Sequence, residues 1–203
     1  MPKKIILIRH GETDYNKKGL AQGWVDTDLS LKGLSQAKKV AKRLEKEIIH
    51  AIYSSDLKRA HETGNEIGKL TGKKPKKTKD LRERDLGVFE EKSWKDIQTK
   101  MTSLYEGLRK TDDMQWKEHK GESRGEVRER LSNVLRHLSK KHKNENIVIT
   151  THGGAKRQLL RLMGLFDATE YIPVDNTSVT VLEKSKNGKY KITMFNDTSH
   201  LED

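Results

Sequence analysis

The sequence predicts an α/β fold: a mostly parallel central sheet sandwiched by helices, with a C-terminal hairpin. Short apolar, β-branched runs alternate with segments whose apolar residues recur every three or four positions. The chain shows no internal repeat, and a hairpin-turn signal stands near its C-terminus. With 203 residues in one continuous pattern, we expect a single domain over residues 1–203.

The first half predicts two strands, each followed by a helix. Residues 5–8 form a continuous apolar run, typical of a strand buried on both faces of a sheet. A helix is expected after the N-cap residue Ser30, with inward positions Leu34, Ala37, Ala41, Leu44 and Ile48. A second strand is expected at 51–53. It precedes a helix that starts at Asp56 and whose inward positions are Ala60, Ile67 and Leu70. Residues 72–79 are predicted as a basic connection.

The second half is less regular until its last third. We expect a short helix at 94–101 and a loop at 111–121. A long helix is indicated by Val127, Leu131, Val134 and Leu138, followed by a strand at 147–149 and a helix at 158–163. Strands at 179–182 and 190–195 flank Asn187 and Gly188, a pair that predicts a hairpin with a two-residue turn.

The composition favours an anionic partner. Lys and Arg number 42 against 30 Asp and Glu, a net charge of +12, which suits phosphorylated metabolites, nucleic acid or an acidic membrane. The chain contains no cysteine, which excludes disulfides, thiolate chemistry and Cys-based metal sites. No apolar stretch has membrane length, so we expect a cytoplasmic protein without membrane contact.

Polar clusters follow three of the predicted strands, at residues 9–13, 54–56 and 150–154. Because ligands of open α/β sheets bind at the carboxyl ends of strands, we expect these clusters to converge. Arg9, His10, Arg59 and His152 would then form a cationic pocket, with backbone amides of 153–154 approaching an anion at a helix start. Such a pocket fits phosphate.

Other readings of the histidines stay open. A lone histidine at a strand end is more often structural than catalytic. Four further histidines are expected to be solvated: His61, His119, His137 and His142. Zinc at His10 and His152 is a weaker alternative, because no ligand set is complete, and we expect no metal and no cofactor.

The run LIRHGET at residues 7–13 resembles the signature of the histidine phosphatase (phosphoglycerate mutase-like) superfamily. The resemblance continues at Asn16, Gln22, residues 53–60, 81–83 and 151–153, and so spans nearly the whole chain. It implies the phosphoglycerate mutase-like fold as one domain, with a small variable cap region at about 82–122. One departure is Glu91, which stands where relatives often carry glycine.

The resemblance also implies roles for individual residues. His10 would be the nucleophile that becomes phosphohistidine, while Arg9 and Arg59 hold the phosphoryl oxygens. His152 would stabilise charge in the transition state. The lesser phosphate contacts would be Asn16, Gln22 and the Gly153 amide.

The leaving alkoxide needs a carboxylic acid as proton donor. Glu83 is our assignment because it matches the family position. Asp85 and Glu90 are the alternatives. The non-functional interpretation is that residues 82–92 form a solvated charged loop.

The predicted function is hydrolysis of small anionic phosphate esters through a phosphohistidine. A phosphoglycerate mutase is the first alternative. A mutase needs a closed lid that keeps water from the phosphohistidine, and no sequence pattern identifies such closure. A non-catalytic protein that binds phosphate or nucleic acid is the second. Nucleic acid is not favoured, because the lysine clusters at 73–79 and 140–143 lack interleaved aromatic residues. The partner is a small phosphorylated substrate, and a homodimer stays open.

Overall fold

A computed structural model describes residues 1–109 and 113–202 of the chain. The strands are β1 (Lys4–Arg9), β2 (Ala51–Ser55), β3 (Lys76–Thr78), β4 (Asn146–Thr151), β5 (Val179–Lys184) and β6 (Tyr190–Asp197). The helices are α1 (Asp14–Lys17), α2 (Leu31–Leu44), α3 (Lys58–Thr71), α4 (Trp94–Lys100), α5 (Thr102–Arg109), α6 (Arg124–Lys141) and α7 (Gly153–Leu162). Short 3₁₀ turns lie at Lys79–Leu81, Gly87–Phe89 and Ser199–Leu201.

The strands form one sheet in the order β3-β2-β4-β1-β5-β6. β1 to β4 run parallel, whereas β5 is antiparallel to β1, and β6 is antiparallel to β5. The predicted mostly parallel sheet with a C-terminal hairpin is therefore confirmed. Arg9 pairs with Thr151, and Ser54 pairs with Thr150, so β1, β2 and β4 end at the same edge.

Helices cover both faces of this sheet because the strands are apolar on both sides. Ile5 and Leu7 of β1 pack into a core with α6 and α7, while Ile6 and Ile8 pack against α2 and α3. Each fully buried side chain of this size contributes about 1.5–3 kcal/mol to folding. The alternation along β1 thus fixes which helices lie on which side.

A third, separate cluster lies outside the sheet, and we call it the outer cluster. Its buried members are Ala21, Leu86, Phe89, Ile97 and Leu108. The helix expected at 94–101 is confirmed as α4, but α5 was not predicted. The loop expected at 111–121 lies partly outside the described residues, and a variable cap at 82–122 stays a prediction.

Several predicted boundaries were wrong, each for a local reason. α3 begins at Lys58 because the Asp56 carboxylate instead accepts two hydrogen bonds from Arg82, at 2.8 and 2.7 Å. α2 ends before Ile48, which is 72% exposed, and Leu70 is 42% exposed in the last turn of α3. α7 starts at residue 153, so its first turn adjoins the end of β4.

Two turn positions differ from expectation. The hairpin loop spans residues 185–189, and within it Gly188 has a positive φ of 85° whereas Asn187 does not. A two-residue turn of the expected type requires both residues to be left-handed, so that prediction was wrong. Glu91 has a φ of 67°, a left-handed backbone that glycine adopts without strain.

Candidate active site

A cleft of about 520 Å³ opens at the edge where β1, β2 and β4 end. Arg9, His10 and Arg59 line its floor, and the His152 ring lies beside His10 with 5.2 Å between ring centroids. We call these four residues the inner site. The structure therefore brings together the four groups that the sequence placed in one cationic pocket.

His10 follows β1 directly, and its backbone is held from both sides. Its N–H donates to the Thr151 carbonyl at 2.9 Å, and its carbonyl accepts a hydrogen bond from Asn176 Nδ2 at 2.9 Å. The ring Nδ1 lies 2.7 Å from the Gly11 carbonyl. A carbonyl only accepts, so Nδ1 carries the proton, and Nε2 keeps the lone pair.

The charge state of His10 is set by its surroundings. Burial, then Arg59, then Arg9 hold the pKa of this imidazole well below its usual range. The ring is therefore neutral at neutral pH, which is the state required for nucleophilic attack.

His152 is the N-cap residue of α7 and is fully buried. Neither ring nitrogen has a hydrogen-bond partner among the described residues. Burial and then Arg59 hold the pKa of His152 well below its usual range. A buried polar ring without a partner is costly unless a ligand satisfies it, so this ring is poised to donate to an anion.

Two guanidinium groups flank the histidines, and carbonyls fix both. Arg59 donates to the Val25 and Gly23 carbonyls at 2.7 and 2.8 Å, and Arg9 donates to the Val174 carbonyl at 2.8 Å. The Nε of each is buried without a partner among the described residues. Burial lowers the pKa of Arg59 to about 10, so it stays charged at neutral pH.

Glu83 lies at the N-terminus of α7. Its Oε2 accepts the Gly154 N–H at 2.8 Å, and its Oε1 accepts the N–H groups of Ala155 and Arg84 at 3.1 and 2.9 Å. A Cβ at residue 154 would lie 2.3 Å from Oε1, so a side chain there would displace the Glu83 carboxylate from this position. The Gly154 amide, expected to bind phosphate, is therefore occupied by the carboxylate, whose Oε2 can still accept a proton.

The three predicted lesser phosphate contacts all line the cleft. Gln22 Oε1 accepts hydrogen bonds from the hydroxyls of Thr13 and Thr27, which leaves its NH₂ group as the donor. Asn16 Oδ1 accepts from the Thr13 N–H at 3.2 Å. Gly153 is the first residue of α7.

The two alternative acids do not line the cleft. Asp85 Oδ1 accepts the Gly87 N–H, and Glu90 Oε1 accepts the N–H groups of Trp24 and Leu86. Asp85 thus holds a turn within the segment that follows Glu83, and Glu90 also ties that segment to residue 24.

Two residues that position Glu83 were missed by sequence reasoning. Arg130 donates to the Glu83 carbonyl at 2.9 Å, to the Arg82 carbonyl at 2.8 Å, and to both carboxylate oxygens of Glu122 at 2.8 Å. Trp24 Nε1 donates to the Glu83 carbonyl at 2.8 Å. No local pattern marks these long-range contacts.

A second group missed from the sequence is a set of five further arginines lining the cleft, which we call the outer arginines: Arg84, Arg109, Arg124, Arg157 and Arg161. They come from the stretch after Glu83 and from α5, α6 and α7. Arg157 Nη1 and Arg9 Nε both lie within 4 Å of the Cβ position at residue 153, so the two arginine groups meet there.

Two of the histidines expected to be solvated are buried. His119 stacks between Phe89 and Trp116, with ring centroids 5.7 and 5.0 Å away. His142 contacts the Tyr53 hydroxyl at 2.8 Å. His137 is exposed, and His61 is half-buried beside Ser54.

The described residues offer neither a metal site nor a membrane-spanning helix. The described residues contain no group of three His, Cys, Asp or Glu side chains placed to hold a metal ion. Within the same residues, no helix is long and apolar enough to cross a membrane.

Comparison with known proteins gives one consistent pattern. A model of the histidine phosphatase superfamily (branch 1) matches residues 5–198. "Phosphoglycerate mutase-like protein 4" of Arabidopsis thaliana is 38% identical over 98% of this chain and 87% of its own. The "Metal-independent phosphoserine phosphatase" of the same plant is 36% identical over 98% and 83%. A solved mycobacterial glucosyl-3-phosphoglycerate phosphatase superposes with a TM-score of 0.85, at 29% identity over 97% of this chain and all of its own.

Proposed function

This chain belongs to the histidine phosphatase superfamily, branch 1, and from that premise we propose that it hydrolyses small anionic phosphate esters through a phosphohistidine on His10. The phosphatase class predicted from the sequence is confirmed by the family match and by relatives named as phosphatases. The roles of individual residues below are our proposal. A cytoplasmic location and a homodimer stay predictions.

In the first step His10 Nε2 attacks phosphorus, and the bond between phosphorus and the ester oxygen breaks. Glu83 gives a proton to the leaving oxygen, which departs as the alcohol. The phosphorylated ring then carries a positive charge, and the Gly11 carbonyl that accepts the Nδ1 proton stabilises it. Arg9, Arg59 and His152 donate to the phosphoryl oxygens, where charge develops.

In the second step water attacks the phosphohistidine. Glu83 takes a proton from the water, the bond between phosphorus and Nε2 breaks, and inorganic phosphate is released. This returns the neutral imidazole and the protonated carboxyl of the starting state, so the cycle closes without a net change in the protein.

The observation that carries this proposal is the pair of buried histidines. His10 has its Nδ1 bonded to a carbonyl, whereas both nitrogens of His152 are without a protein partner among the described residues. Two arginines with unpaired Nε groups flank them. This geometry serves attack at phosphorus by one ring and hydrogen-bond donation by the other.

The test is phosphate release from p-nitrophenyl phosphate and 3-phosphoglycerate with EDTA present. We expect wild-type turnover and a loss of at least about a thousandfold in kcat for His10→Ala. His137→Ala, an exposed change on α6, is the control. Absence of wild-type turnover, or full activity of His10→Ala, would overturn the proposal. Formation of 2-phosphoglycerate in place of phosphate would indicate the mutase alternative.

A further inference from the structure

The outer arginines make the cleft far more cationic than one phosphate requires. Among the described residues that line it, seven are arginines and one, Glu83, is acidic. Arg9 and Arg59 of the inner site already flank the two histidines. The remaining five arginines therefore need a separate explanation.

Three arginines outside the cleft neutralise carboxylates. Arg43 binds Asp197 through two nitrogens, Arg82 binds Asp56 in the same way, and Arg130 binds Glu122. These pairs satisfy both the geometry and the charge of the guanidinium.

Four of the five outer arginines are held differently, by backbone carbonyls, and the fifth, Arg109, has its guanidinium over the Tyr105 ring. Arg84 donates to residue 122, Arg124 to residues 108 and 109, Arg157 to residue 172, and Arg161 to residues 167 and 170. Within the described part of the chain, none of these four forms an ion pair with a carboxylate. A carbonyl fixes the direction of a guanidinium without cancelling its charge, so each group stays oriented and unneutralised.

Four of these charges also repel each other in successive pairs, from Arg84 through Arg124 and Arg161 to Arg157. Besides burial, which is the largest cause, Arg124 lowers the pKa of Arg84, Arg161 lowers that of Arg124, and Arg157 lowers that of Arg161. The pKa of Arg84 falls to about 10, although Glu122 and Glu83 act in the opposite direction. Arg84 Nη2 is also buried without a partner among the described residues. A bound anion would relieve both costs.

A positively charged group on the substrate would find no charged partner here beyond Glu83. The lining also contains Gln158, whose uncharged Oε1 is buried without a partner among the described residues, but a neutral amide oxygen cannot offset the arginine charges. Glu83 is the one carboxylate among the described lining residues, and three backbone N–H groups already bind it. Carbonyls at residues 108, 122 and 172 are already engaged by the arginines. An ammonium would therefore be desolvated beside several like charges.

We propose that the outer arginines bind a second anionic group of the substrate and reject an ammonium, so that the substrates are multiply anionic phosphomonoesters without an amine. This inference rests on the proposed phosphatase function. It distinguishes the chain from its relative named for phosphoserine, an ester that carries an ammonium beside its carboxylate. The second anion is a carboxylate or a second phosphate, which share the bidentate geometry that arginine recognises.

Three esters of nearly equal size test the proposal. Relative to 3-phosphoglycerate, glycerol 3-phosphate lacks the carboxylate, and O-phosphoserine has an ammonium in place of a hydroxyl. We expect kcat/KM for 3-phosphoglycerate to exceed that for each of the other two by at least about tenfold, the scale of one charge-assisted contact. Comparison with glycerol 1,3-bisphosphate, which has a second phosphate and no carboxylate, distinguishes a second phosphate from a carboxylate as the preferred anion.

Variants assign the preference to the arginines. Arg84→Gln and Arg124→Gln, made separately, are each expected to reduce the ratio of kcat/KM for 3-phosphoglycerate over glycerol 3-phosphate by about tenfold. Arg136→Gln, an exposed change on the same helix as Arg124, is the control and should leave the ratio unchanged.

The outcomes separate the two claims. No turnover of any ester, including p-nitrophenyl phosphate, would overturn the proposed function itself. Turnover of 3-phosphoglycerate, glycerol 3-phosphate and O-phosphoserine at similar kcat/KM, or a preference for O-phosphoserine, would overturn the inference about the outer arginines and leave the phosphatase function standing.

Discussion

The inner site and the outer arginines share one cleft but are built in different ways. The inner site takes Arg9 and His10 from the end of β1 and Arg59 from the start of α3, while His152 follows β4 and caps α7. The outer arginines come from helices and a loop that lie outside the sheet, and carbonyls hold four of the five. The sheet therefore positions the chemistry, while the elements around it set the charge of the rest of the cleft. This separation predicts that variants of the two groups affect different sets of substrates.

Glu83 lies between the two regions, and its replacement is expected to have the largest effect. Glu83→Gln removes the proton donor, so kcat/KM for glycerol 3-phosphate should fall by roughly 10²–10⁴. The loss for p-nitrophenyl phosphate should be much smaller, because its leaving group departs without a proton. Steady-state kinetics with both esters measures this, and Glu118→Gln, an exposed change, is the control. Equal losses on both esters would contradict the role of acid.

His152→Gln tests the inner site alone. Loss of a preorganised donor to the phosphoryl oxygens should lower kcat by about 10²–10³ for every ester, irrespective of its second charge. The measurement is kcat for p-nitrophenyl phosphate, glycerol 3-phosphate and 3-phosphoglycerate. A loss confined to 3-phosphoglycerate would contradict the separate roles of the inner site and the outer arginines, since it would assign His152 to substrate selection.

Most of the fold and the inner site could be predicted from the sequence because they depend on local patterns. Apolar runs such as residues 5–8 identify buried strands, and the polar residues after them mark the edge where ligands bind. The resemblance added Glu83, which no periodicity identifies. The prediction of a two-residue hairpin turn was wrong because Lys184 pairs with Tyr190, which leaves residues 185–189 as the loop. In that longer loop Asn187 does not adopt the positive φ that the two-residue turn requires.

The outer arginines and Arg130 could not be predicted for a different reason. On the sequence, Arg124 and Arg130 are two of several basic residues on α6, and nothing local separates them from the exposed Arg136. Their roles depend on contacts with segments that are distant along the chain, as when Arg130 reaches the Glu83 carbonyl. Such contacts exist only once the sheet has brought those segments together.

Arg130 is expected to act as a positioning residue through Glu83. Arg130→Gln should lower kcat/KM for glycerol 3-phosphate by roughly 10- to 100-fold, since misplacement of the acid slows proton donation. The loss should be small for p-nitrophenyl phosphate, so the effect would depend on the leaving group as it does for Glu83→Gln. A general loss of structure would lower activity on both esters equally. Arg130→Lys should recover part of the activity. An equal loss on both esters would show that Arg130 does not act through the acid.

Replacement of Lys156 is expected to have the smallest effect on catalysis, and to change how the stability of the fold depends on pH. It is fully buried in α7 behind the inner site, where its Nζ donates to the Ser178 carbonyl at 2.9 Å. Burial, and then Arg9, lowers its pKa from 10.5 to about 7, and Arg157 acts in the same direction while Asp175 opposes them. A buried cation beside these arginines therefore destabilises the protein when it is protonated.

The sign of the pH dependence follows from the two protonation states. Between the pKa of about 7 in the folded protein and 10.5, the unfolded chain holds the Lys156 proton and the folded protein does not, so raising the pH stabilises the fold. Lys156 should contribute up to about 1.4 kcal/mol per pH unit to the free energy of unfolding across that interval, and Lys156→Met should lack this contribution. Urea unfolding of both proteins near neutral pH and near pH ~10 measures the difference, with the exposed Lys140→Met as control. Parallel stability profiles for wild type and Lys156→Met would mean that Lys156 stays charged in the folded protein.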